Sequence, residues 1–470
     1  MSHHLLYSEL CKIVGTRYVA DNDFALWACS RDSSAYPARV PGVVVRPGST
    51  EEVSEIVRLA NREKVPIIPR GGGTQYGGWP PGEPGRTICV DMTRMNRIIE
   101  VNETNSTVTV EAGITGSELE GRLKQRGLYT HTTFSPPDSV TVGGALCGVF
   151  GGGGRMFGSA ATNHHSIVGV KAVLPNGEII ETGSRTNRHC SMFYRGAFGP
   201  DLTGIFIGSM GIFGIVTEVT QELRRLQPHA GEGAAVYGHE RLDQAYQALI
   251  QMGLYEPKIF SMGGIFGLAP FDMKNKDWML IYQCVGYTKK EVEEKLNTAG
   301  RIIRDAAEPD AWQPDELVQM AKENFGFAHD FSSAWKRLGM WTMVEFLCPR
   351  DISLRIFKEI PAFIVAELSG WEGRVFGSGS VMFLHGDQYY LAFTLHHRET
   401  DPDARAKALG VAHKADLMGL QMGGLKLVLN KDVGDVCAEM IPSAYADWLR
   451  TLKTAMDPNN IMNPHMMGLP

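Results

Sequence analysis

The sequence predicts an α+β fold distributed over more than one domain. Its 470 residues exceed what one hydrophobic core usually supports. In the first half, strand patterns alternate with helix patterns, and three glycine-dense segments at 70–78, 139–158 and 201–223 fall between the strands. A middle region, about 226–430, has longer patterns, such as the helix pattern "KKEVEEKLNTAGRIIRDA" and the strand pattern "QYYLAFTLHH", and it predicts a second domain.

The first half begins with a predicted β-α-β unit. "GVVVRP" is typical of a short strand, and "VPIIP" predicts the next one. Between them, Ser49 and Glu52 have the spacing of a capping box at a helix start. The apolar positions at helical spacing that follow are Val53, Ile56, Val57 and Ala60. They predict one buried helix face.

The first glycine-dense segment, "RGGGTQYGG" at 70–78, follows the second strand. A dinucleotide-binding G-x-G-x-x-G or a P-loop would run directly into a helix. Here the sixth position from Gly71 is Tyr76, no lysine follows, and Pro80 and Pro81 prevent an immediate helix. Two interpretations remain: a nest of backbone N–H groups that binds an anion such as pyrophosphate, or a flexible surface turn.

The rest of the first half repeats the pattern. "TICVDM" predicts a strand, "IIEV" and "TVTVEAG" predict a hairpin, and "SELEGRLKQRG" predicts a helix. The alternating segment "IVGVKAVLPNGEIIETG" separates the second and third glycine-dense segments. One elongated ligand touching backbone at several points, such as a flavin dinucleotide, explains all three segments. A phosphosugar or nucleotide site is the alternative.

Composition narrows the function classes. With 43% apolar and 21% charged residues, a net charge of −6 and a pI near 6.2, the chain does not resemble a nucleic-acid-binding protein. The N-terminus lacks a signal-peptide pattern, and no stretch approaches the roughly 18 apolar residues of a membrane span, so we expect a cytoplasmic protein. The eight cysteines include no C-x-x-C, which disfavours structural zinc or an iron–sulfur cluster and favours reduced, buried thiols.

Six segments together resemble the flavoproteins grouped with vanillyl-alcohol oxidase and p-cresol methylhydroxylase, including the glycolate oxidase and D-lactate dehydrogenase branch. They cover about half the chain in the family's order. They are "RDSSAYPARVPGVVVRPGSTEEVSEIVRLANREKVPIIPRGGGT", "VTVEAGITGSELEGRLKQRGL", "PPDSVTVGGALCGVFGGGGRMFGS", "AVLPNGEIIETGS", "DLTGIFIGSMGIFGIVTE" and "LKTAMDPNNIMNPHMMG".

The resemblance implies a two-subdomain FAD-binding domain of the p-cresol methylhydroxylase type at 1–225, to which residues 431–470 return. An α+β cap domain of antiparallel sheet would be inserted at 226–430. The implied function is an FAD-dependent oxidoreductase that oxidises an alcohol or hydroxy acid by hydride transfer to flavin N5. Oxygen or an electron-transfer partner would reoxidise the flavin, and a homo-oligomeric assembly is left open. A phenolic oxidase and a non-redox enzyme of the alkylglycerone-phosphate synthase type are the alternatives.

By the same likeness, residues 70–78 surround the FAD pyrophosphate. Residues 135–144 and 151–158 follow the ribityl chain and ring, 211–216 lie near the adenine or ring edge, and Asn463 lies on the returning tail. The residues expected to contact FAD are Pro69, Arg70, Gly71, Gly72, Gly73, Thr74, Gln75, Tyr76, Pro136, Ser139, Val142, Gly143, Gly144, Cys147, Gly148, Gly153, Gly154, Phe157, Gly158, Gly211, Gly214, Ile215, Val216 and Asn463.

Two departures from the family pattern bear on chemistry. Some relatives attach FAD covalently through a His in the first glycine loop. This chain has Thr74 at that position, so we expect no covalent attachment there. Covalent attachment through a His or Tyr of the cap domain is left open. The D-2-hydroxyacid dehydrogenases hold a divalent metal on H-x-G-D-G-N-x-H and a later Glu-His pair. This chain has "FLHGDQYYLAF", with Leu391 at the second His position, and "GGLKLVLNKD" in place of the pair. We therefore expect no metal site.

Catalytic candidates come from the middle region. The phenol-stabilising Tyr and Arg of the phenol branch align roughly with Leu425 and Lys426, so Lys426 retains one positive charge for an anionic oxygen. Histidine is the favoured base because its pKa lies near neutrality. The candidates are His385 and His397 as bases, with His164 and His165 as further candidates, Tyr390 and Asp387 as orienting groups, and Lys426. Because strand side chains alternate, only one of His396 and His397 is expected to face a pocket. The aromatic residues of the middle region predict either a pocket wall or core packing: Trp312, Trp335, Trp341 and Phe346.

Overall fold

The structure is a computed structural model in which the chain forms two compact units. One unit comprises 1–152, 162–224 and 428–470, and the other comprises 153–161 and 225–427. The residues that the structure describes are 3–75, 85–130, 136–148, 166–196, 198–255, 258–260, 262–267, 277–325, 339–384, 388–426 and 440–469.

The first unit contains two sheets and seven helices among its described residues. Its strands are β1 (Val19–Ala20), β2 (Val43–Val45), β3 (Ile67–Arg70), β4 (Ile88–Asp91), β5 (Ile98–Asn102), β6 (Thr107–Glu111), β7 (Leu128–Thr130), β8 (Ile167–Val173), β9 (Ile179–Glu181) and β10 (Ile215–Arg225). Its helices are α1 (His3–Val14), α2 (Asp23–Ala28), α3 (Thr50–Glu63), α4 (Gly116–Lys124), α5 (Val142–Cys147), α6 (Thr203–Phe206) and, from the C-terminal segment, α12 (Ser443–Met456).

The predicted β-α-β unit is confirmed in the four-stranded sheet, whose order is β1-β2-β4-β3. β2 and β3 both run parallel to β4, which lies between them. The capping interaction at α3 is also present, because the Ser49 hydroxyl accepts a hydrogen bond from the Glu52 backbone N–H at 3.2 Å. The Glu52 carboxylate in turn accepts from the Gly48 N–H at 2.7 Å. The first glycine-dense segment therefore leaves the end of β3.

The second sheet of this unit has the order β5-β6-β10-β8-β9, in which neighbouring strands are antiparallel, and β7 also pairs with β10. The hairpin predicted from "IIEV" and "TVTVEAG" is β5–β6, and "IVGVKAVLPNGEIIETG" forms β8–β9. β10 lies at the centre because it pairs with both β6 and β8. The third glycine-dense segment leads directly into β10.

The C-terminal segment adds to the first sheet. The Ile67 N–H donates to the Ile461 carbonyl at 2.7 Å, and the Asn463 N–H donates back to the Ile67 carbonyl at 2.8 Å. These bonds form a parallel bridge between Ile67 and Met462. Asn463 is therefore fixed beside β3, close to where the first glycine-dense segment begins.

The second unit is an eight-stranded antiparallel sheet of order β14-β11-β13-β12-β16-β17-β15-β18. Its strands are β11 (His229–Tyr237), β12 (Met262–Gly267), β13 (Trp278–Gly286), β14 (Ala311–Trp312), β15 (Met340–Pro349), β16 (Val375–Leu384), β17 (Gln388–His397) and β18 (Leu425–Lys426). Its helices are α7 (Leu242–Leu254), α8 (Lys289–Ala306), α9 (Asp315–Phe325), α10 (Arg350–Glu367) and α11 (Pro402–Gln421). The predicted α+β region of antiparallel sheet and helices is confirmed.

Helices cover one face of this sheet, which we call the helix face. Side chains from α7, α8, α10 and α11 form one apolar core with alternate residues of the strands, including Val344 and Phe346 on β15 and Leu391 and Phe393 on β17. Because strand side chains alternate, the intervening residues lie on the opposite face. In the described part of the chain, none of the helices combines the length and the apolar composition that a membrane span requires.

Candidate functional site

The glycine-dense segments meet at one cleft in the first unit. About 830 Å³ of atom-free space, partly open to solvent, lies in this cleft. Sixteen of the residues expected to contact FAD line it: Pro69, Arg70, Gly71, Gly72, Gly73, Thr74, Gln75, Gly143, Gly144, Cys147, Gly148, Gly211, Gly214, Ile215, Val216 and Asn463. Tyr76, Gly153, Gly154, Phe157 and Gly158 lie outside the described residues.

Three further residues that were expected to contact FAD do not line the cleft, but they are close in sequence to residues that do. The Pro136 carbonyl accepts a hydrogen bond from the Ser139 N–H at 3.2 Å, which shapes the turn before α5. The Ser139 carbonyl approaches Gly72, as described below. Val142 is the first residue of α5 and belongs to the apolar core of the second sheet. These three residues support the wall of the cleft.

Glycine is required in the first segment because the backbones approach each other closely. A Cβ at Gly72 would lie 1.7 Å from the Ser139 carbonyl oxygen, and one at Gly71 would lie 2.1 Å from the Thr141 hydroxyl. Gly73 has the left-handed φ of +64°, which glycine adopts without strain. Residues 70–75 and 139–148, from two of the glycine-dense segments, therefore form one continuous wall.

Six residues that line the cleft were not named individually from the sequence: Asp32, Met92, Ala112, Val140, Thr141 and Met210. Val140 and Thr141 nevertheless lie within the predicted range 135–144. Thr141 had a local signal, because it precedes "VGGALC" and caps α5 by accepting from the Gly144 N–H at 3.2 Å. Asp32 and Met92 are distant in sequence from the glycine-dense segments, so no local pattern points to them. Asp32 is held by accepting a hydrogen bond from the Ser34 N–H at 2.8 Å.

Arg70 gives the cleft a cation. Its guanidinium donates to the Arg31 carbonyl at 3.1 Å and to the Ala28 carbonyl at 3.5 Å, and so joins residues 28–32 to the end of β3. A Cβ at Gly73 would lie 2.1 Å from this guanidinium, so the side chain lies across the loop. A fixed guanidinium next to exposed backbone favours an anionic ligand group.

Two buried acceptors in the cleft residues lack hydrogen-bond partners within the described part of the chain, namely Gln75 Oε1 and Asn463 Oδ1. Asn463 is held in place on its other side, because its amide donates to the Met210 carbonyl at 2.5 Å. Buried acceptors are costly to leave unpaired, so they favour a ligand that carries N–H or O–H donors. The cleft residues thus fit an elongated dinucleotide with an anionic centre and donor groups.

In the second unit, a row of buried polar side chains occupies the face opposite the helices. We call this row, made of Glu345, Tyr390, Thr394 and His396, the polar face. The Tyr390 hydroxyl donates to Glu345 Oε2 at 2.7 Å, and Thr394 Oγ1 shares a hydrogen bond with His396 Nε2 at 3.0 Å. Each of the four side chains is at most 4% exposed. Burial lowers the pKa of His396 to about 4, so this imidazole is neutral at neutral pH.

The structure separates the predicted catalytic residues. Tyr390 lies on the polar face, whereas His397 alternates to the helix face, where its Nδ1 donates to the Arg398 carbonyl at 3.1 Å. Burial also lowers the pKa of His397. Lys426 is opposite Phe346 on the helix face and forms an ion pair with Asp416 of α11 at 2.7 Å. His385 lies outside the described residues, as do Asp387, His164 and His165.

The aromatic residues predicted to wall a pocket are also divided between the two faces of the sheet. Phe346 belongs to the helix-face core and Trp312 packs against it. Trp341 lies opposite His396 on the neighbouring strand and therefore on the face with Tyr390. Trp335 is not among the described residues. Sequence reasoning missed Glu345, whose position beside Tyr390 depends on the pairing of two strands more than forty residues apart.

Comparison with known proteins identifies the class of the first unit. Residues 41–183 match the family described as FAD binding domain. This match covers β2 to β9 and most of the cleft, and the chain therefore contains an FAD binding domain. The predicted cofactor is FAD.

Relatives by sequence are dehydrogenases and oxidases. The chain is 34% identical over 230 residues to a mitochondrial D-lactate dehydrogenase (cytochrome) of Arabidopsis thaliana, a match that covers 48% of this chain and 38% of that protein. It is 32% identical over 216 residues to a glycolate oxidase subunit of Bacillus subtilis, covering 46% and 44%. The chain thus spans less than half the length of these two relatives. It is also 26% identical to a D-2-hydroxyglutarate dehydrogenase of Stutzerimonas stutzeri, over 99% of both chains.

Solved structures share the whole fold. A 4-ethylphenol oxidase from Gulosibacter chungangensis matches with a TM-score of 0.83 at 19% identity, over 99% of this chain and 97% of that one. A p-cresol methylhydroxylase matches with a TM-score of 0.80 at 16% identity, over 99% and 96%. An alkyldihydroxyacetonephosphate synthase matches with a TM-score of 0.71 at 19% identity, over 99% and 85%. The predicted resemblance and the predicted fold class are confirmed.

Proposed function

We propose that this protein is an FAD-dependent oxidoreductase that oxidises an alcohol or hydroxy acid. The observation that carries the proposal is the cleft in which three glycine-dense segments meet around Arg70. The segment at 70–75 and the start of α5 would hold the pyrophosphate, while residues 210–216 and Asn463 would hold the rest of the cofactor. The relatives that are dehydrogenases and oxidases support this reaction class.

In this proposal, residues of the chain bind different parts of the cofactor. Backbone N–H groups of the glycine loop and the Arg70 guanidinium would bind the phosphates, and Gln75 Oε1 and Asn463 Oδ1 would accept from donor groups of the cofactor. Bound FAD supplies the acceptor for a hydride. Oxidation of an alcohol also releases the hydroxyl proton, which requires a nearby acceptor. Within the second unit, Tyr390 donates to Glu345 on the polar face, whereas Asp416 neutralises the predicted cation Lys426 on the helix face.

In this proposal residues 1–225 and 431–470 form the FAD domain, and 226–430 form the substrate domain. Oxygen or an electron-transfer protein would reoxidise the flavin. A cytoplasmic location is part of the proposal and is supported by the seven cysteines of the described part of the chain, all of which are free thiols. The competing function is a non-redox flavin enzyme, favoured by the similarity to the alkyldihydroxyacetonephosphate synthase fold.

The proposal is tested by the cofactor content of the purified protein and of the Gly72→Ala variant. A Cβ at Gly72 cannot fit 1.7 Å from the Ser139 carbonyl without moving one wall of the cleft. We expect the variant to bind FAD roughly tenfold more weakly or worse, because small displacements in a preorganised site carry large penalties. The measurements are the flavin absorbance of the purified protein and the FAD concentration needed to restore it.

Gly121→Ala is the matched control. Gly121 lies in α4 of the same unit, and a Cβ there would meet no atom within 4 Å. This variant should retain full FAD binding. Circular dichroism of both variants distinguishes a lost cofactor from a lost fold. The redox function requires that an alcohol or hydroxy acid bleach the flavin and yield a carbonyl product. Equal FAD binding by folded Gly72→Ala and wild type would refute the loop assignment.

A further inference from the structure

Two cysteines that are sixty residues apart in the sequence, Cys29 and Cys89, meet in the first unit. Together with Val44 they form a small buried cluster that is separate from the two larger apolar cores of this unit, and Leu26 packs against it. The Cys89 thiol donates a hydrogen bond to the Cys29 sulfur. Both cysteines are free thiols. The fold therefore brings two reduced sulfur atoms together.

The two cysteines belong to elements of different kinds. Cys89 lies within β4, the strand between β2 and β3, where it is paired with Val44 on one side and Ile68 on the other. Cys29 directly follows α2, and its N–H donates to the Ala25 carbonyl at 3.3 Å. None of the six residues of α2 is buried. One sulfur thus lies on a strand inside a sheet, and the other lies at the end of a short surface helix.

Cys29 is the more accessible and the more reactive of the two thiols. It is 9% exposed, whereas Cys89 is 0% exposed. The hydrogen bond from Cys89 lowers the pKa of Cys29 to about 7, and the charges of Arg70 and Arg46 add to this effect against burial and Asp91. The same hydrogen bond, together with burial, raises the pKa of Cys89. Near neutral pH, Cys29 therefore supplies a thiolate, which is the form of cysteine that oxidants attack.

Cys29 also adjoins the segment that Arg70 connects to the cleft. The Arg70 guanidinium donates to the Ala28 carbonyl at 3.5 Å and to the Arg31 carbonyl at 3.1 Å, and Asp32 lines the cleft. An S–S bond of about 2 Å is shorter than a hydrogen-bonded contact between two sulfur atoms. A disulfide between Cys29 and β4 therefore draws this segment toward the strand and displaces the carbonyls that hold the guanidinium.

We propose that a hydroperoxide converts Cys29 and Cys89 to a reversible disulfide, and that this bond weakens the binding of FAD in the cleft. With hydrogen peroxide, the Cys29 thiolate attacks one oxygen and the O–O bond breaks, which gives a sulfenic acid and one water. The Cys89 thiol then attacks the same sulfur, the S–O bond breaks, and a second water leaves. The two thiols lose two hydrogens, and one peroxide is reduced to two waters.

The disulfide goes beyond the proposed function, and only its effect on FAD rests on that function. Thiol mapping of the FAD-loaded protein tests the disulfide directly. The protein is treated with hydrogen peroxide, free thiols are alkylated, and unreduced peptides are identified by mass spectrometry. We expect the loss of two of the eight thiols and one pair of linked peptides that contain Cys29 and Cys89. Dithiothreitol should restore both thiols.

Three variants sharpen this test. Cys89→Ser removes the second thiol, so the sulfenic acid at Cys29 should accumulate and react with dimedone. Cys29→Ser should lose no pair of thiols to an internal disulfide. Cys190→Ser is the control, because Cys190 is another partly exposed free thiol of the same unit. It should leave the linked peptides unchanged.

FAD titration of the oxidised and the reduced protein measures the effect on the cleft. We expect the oxidised protein to bind FAD about tenfold more weakly, because small displacements in a preorganised site carry large penalties. Reduction should restore the affinity. Cys29→Ser should bind FAD equally well before and after peroxide treatment, and circular dichroism shows whether each variant is folded.

The outcomes distinguish this inference from the proposed function. Oxidation of other cysteines while Cys29 and Cys89 stay unlinked in the wild type overturns the inference, whatever the variants do. A disulfide that forms without changing FAD affinity overturns the effect on the cleft and retains the modification site. A reduced, folded protein that binds no FAD contradicts the proposed function instead, and the thiol map still decides whether the disulfide forms.

Discussion

His396 is a buried imidazole whose protonation is opposed by the fold. Its Nε2 shares a hydrogen bond with Thr394 Oγ1 at 3.0 Å, it is 0% exposed, and burial lowers its pKa from 6.5 to about 4. Between these two values the unfolded chain binds a proton that the folded chain does not. The free energy of unfolding therefore rises with pH across this window and falls on acidification.

We expect His396 to contribute up to about 3 kcal/mol to the loss of stability between pH 6.5 and pH 4. Urea denaturation of wild type and His396→Asn at several pH values measures this contribution. The variant should be less stable at pH 7, where it loses the fitted imidazole, but its stability should fall less on acidification. His397 titrates in the same direction in both proteins, so the difference isolates His396. Parallel pH profiles would contradict the assignment.

Residue-scale features were predicted from sequence to different extents. The sequence predicted that the backbone of the first glycine-dense segment approaches a ligand, but it did not predict that Gly73, and not Gly72, has the positive φ. Gly72 is required because the Ser139 carbonyl approaches it. A turn can be predicted from the local sequence. A close approach between the backbones of two segments almost seventy residues apart cannot.

At the scale of elements, α12 connects the C-terminal segment to the cleft. Lys453 on α12 donates to Asp457 Oδ2 at 2.6 Å, to the Met462 carbonyl at 2.7 Å and to the Ile212 carbonyl at 3.2 Å. Asp457 accepts in addition from the Ile461 and Met462 N–H groups. The pair is almost fully buried, and it holds the glycine segment before β10 next to the segment that carries Asn463.

Lys453→Met should destabilise the protein by about 3–5 kcal/mol, because it leaves the Asp457 carboxylate buried without its cation. It should also weaken FAD binding, since two walls of the cleft lose their common donor. Denaturant unfolding and FAD titration measure the two effects. Arg450→Met is the control on the same helix, where the exposed pair with Asp447 contributes at most about 1 kcal/mol. Similar effects of the two substitutions would contradict this role for Lys453.

Elements with strong local patterns were predicted well. "KKEVEEKLNTAGRIIRDA" coincides with α8, and the strand "QYYLAFTLHH" coincides with β17, because amphipathic spacing and strand alternation are local properties. The short helix α5 was not predicted within its glycine-dense segment, because glycine disfavours helix. Its position is fixed by contacts distant in sequence, in which the Gly143 N–H donates to the Ala112 carbonyl at 2.8 Å.

At the scale of the whole molecule, family motifs predicted the fold and the cofactor, and the cleft gathers the predicted glycine segments. The environments of the catalytic candidates were predicted less completely. Lys426 was expected to hold an anionic oxygen, and its ion pair with Asp416 on α11 was not foreseen. The reason is physical: pairing of β15 with β17 and β18 decides which side chains share a face, and strand register is a property of the assembled sheet.

The chain is predicted to hold no divalent metal, in contrast to the metal-dependent D-2-hydroxyacid dehydrogenases. The second histidine of their motif is replaced by Leu391, which is 0% exposed and belongs to the apolar core of the helix face. A position packed in that core offers no lone pair to an ion, and a divalent site needs its ligands together. Within the described residues, no group of three metal-ligating side chains occurs, and His385 and Asp387 lie outside them.

We therefore expect turnover to survive prolonged dialysis against a chelator. Elemental analysis of the purified protein should show well under one equivalent of zinc or manganese per chain. Dialysis followed by addition of zinc or manganese serves as the control, and neither ion should raise the rate. A stoichiometric metal whose removal abolishes turnover would contradict this prediction. It would also favour a hydroxy carboxylate as substrate, since a bound divalent cation can hold the carboxylate of such a compound.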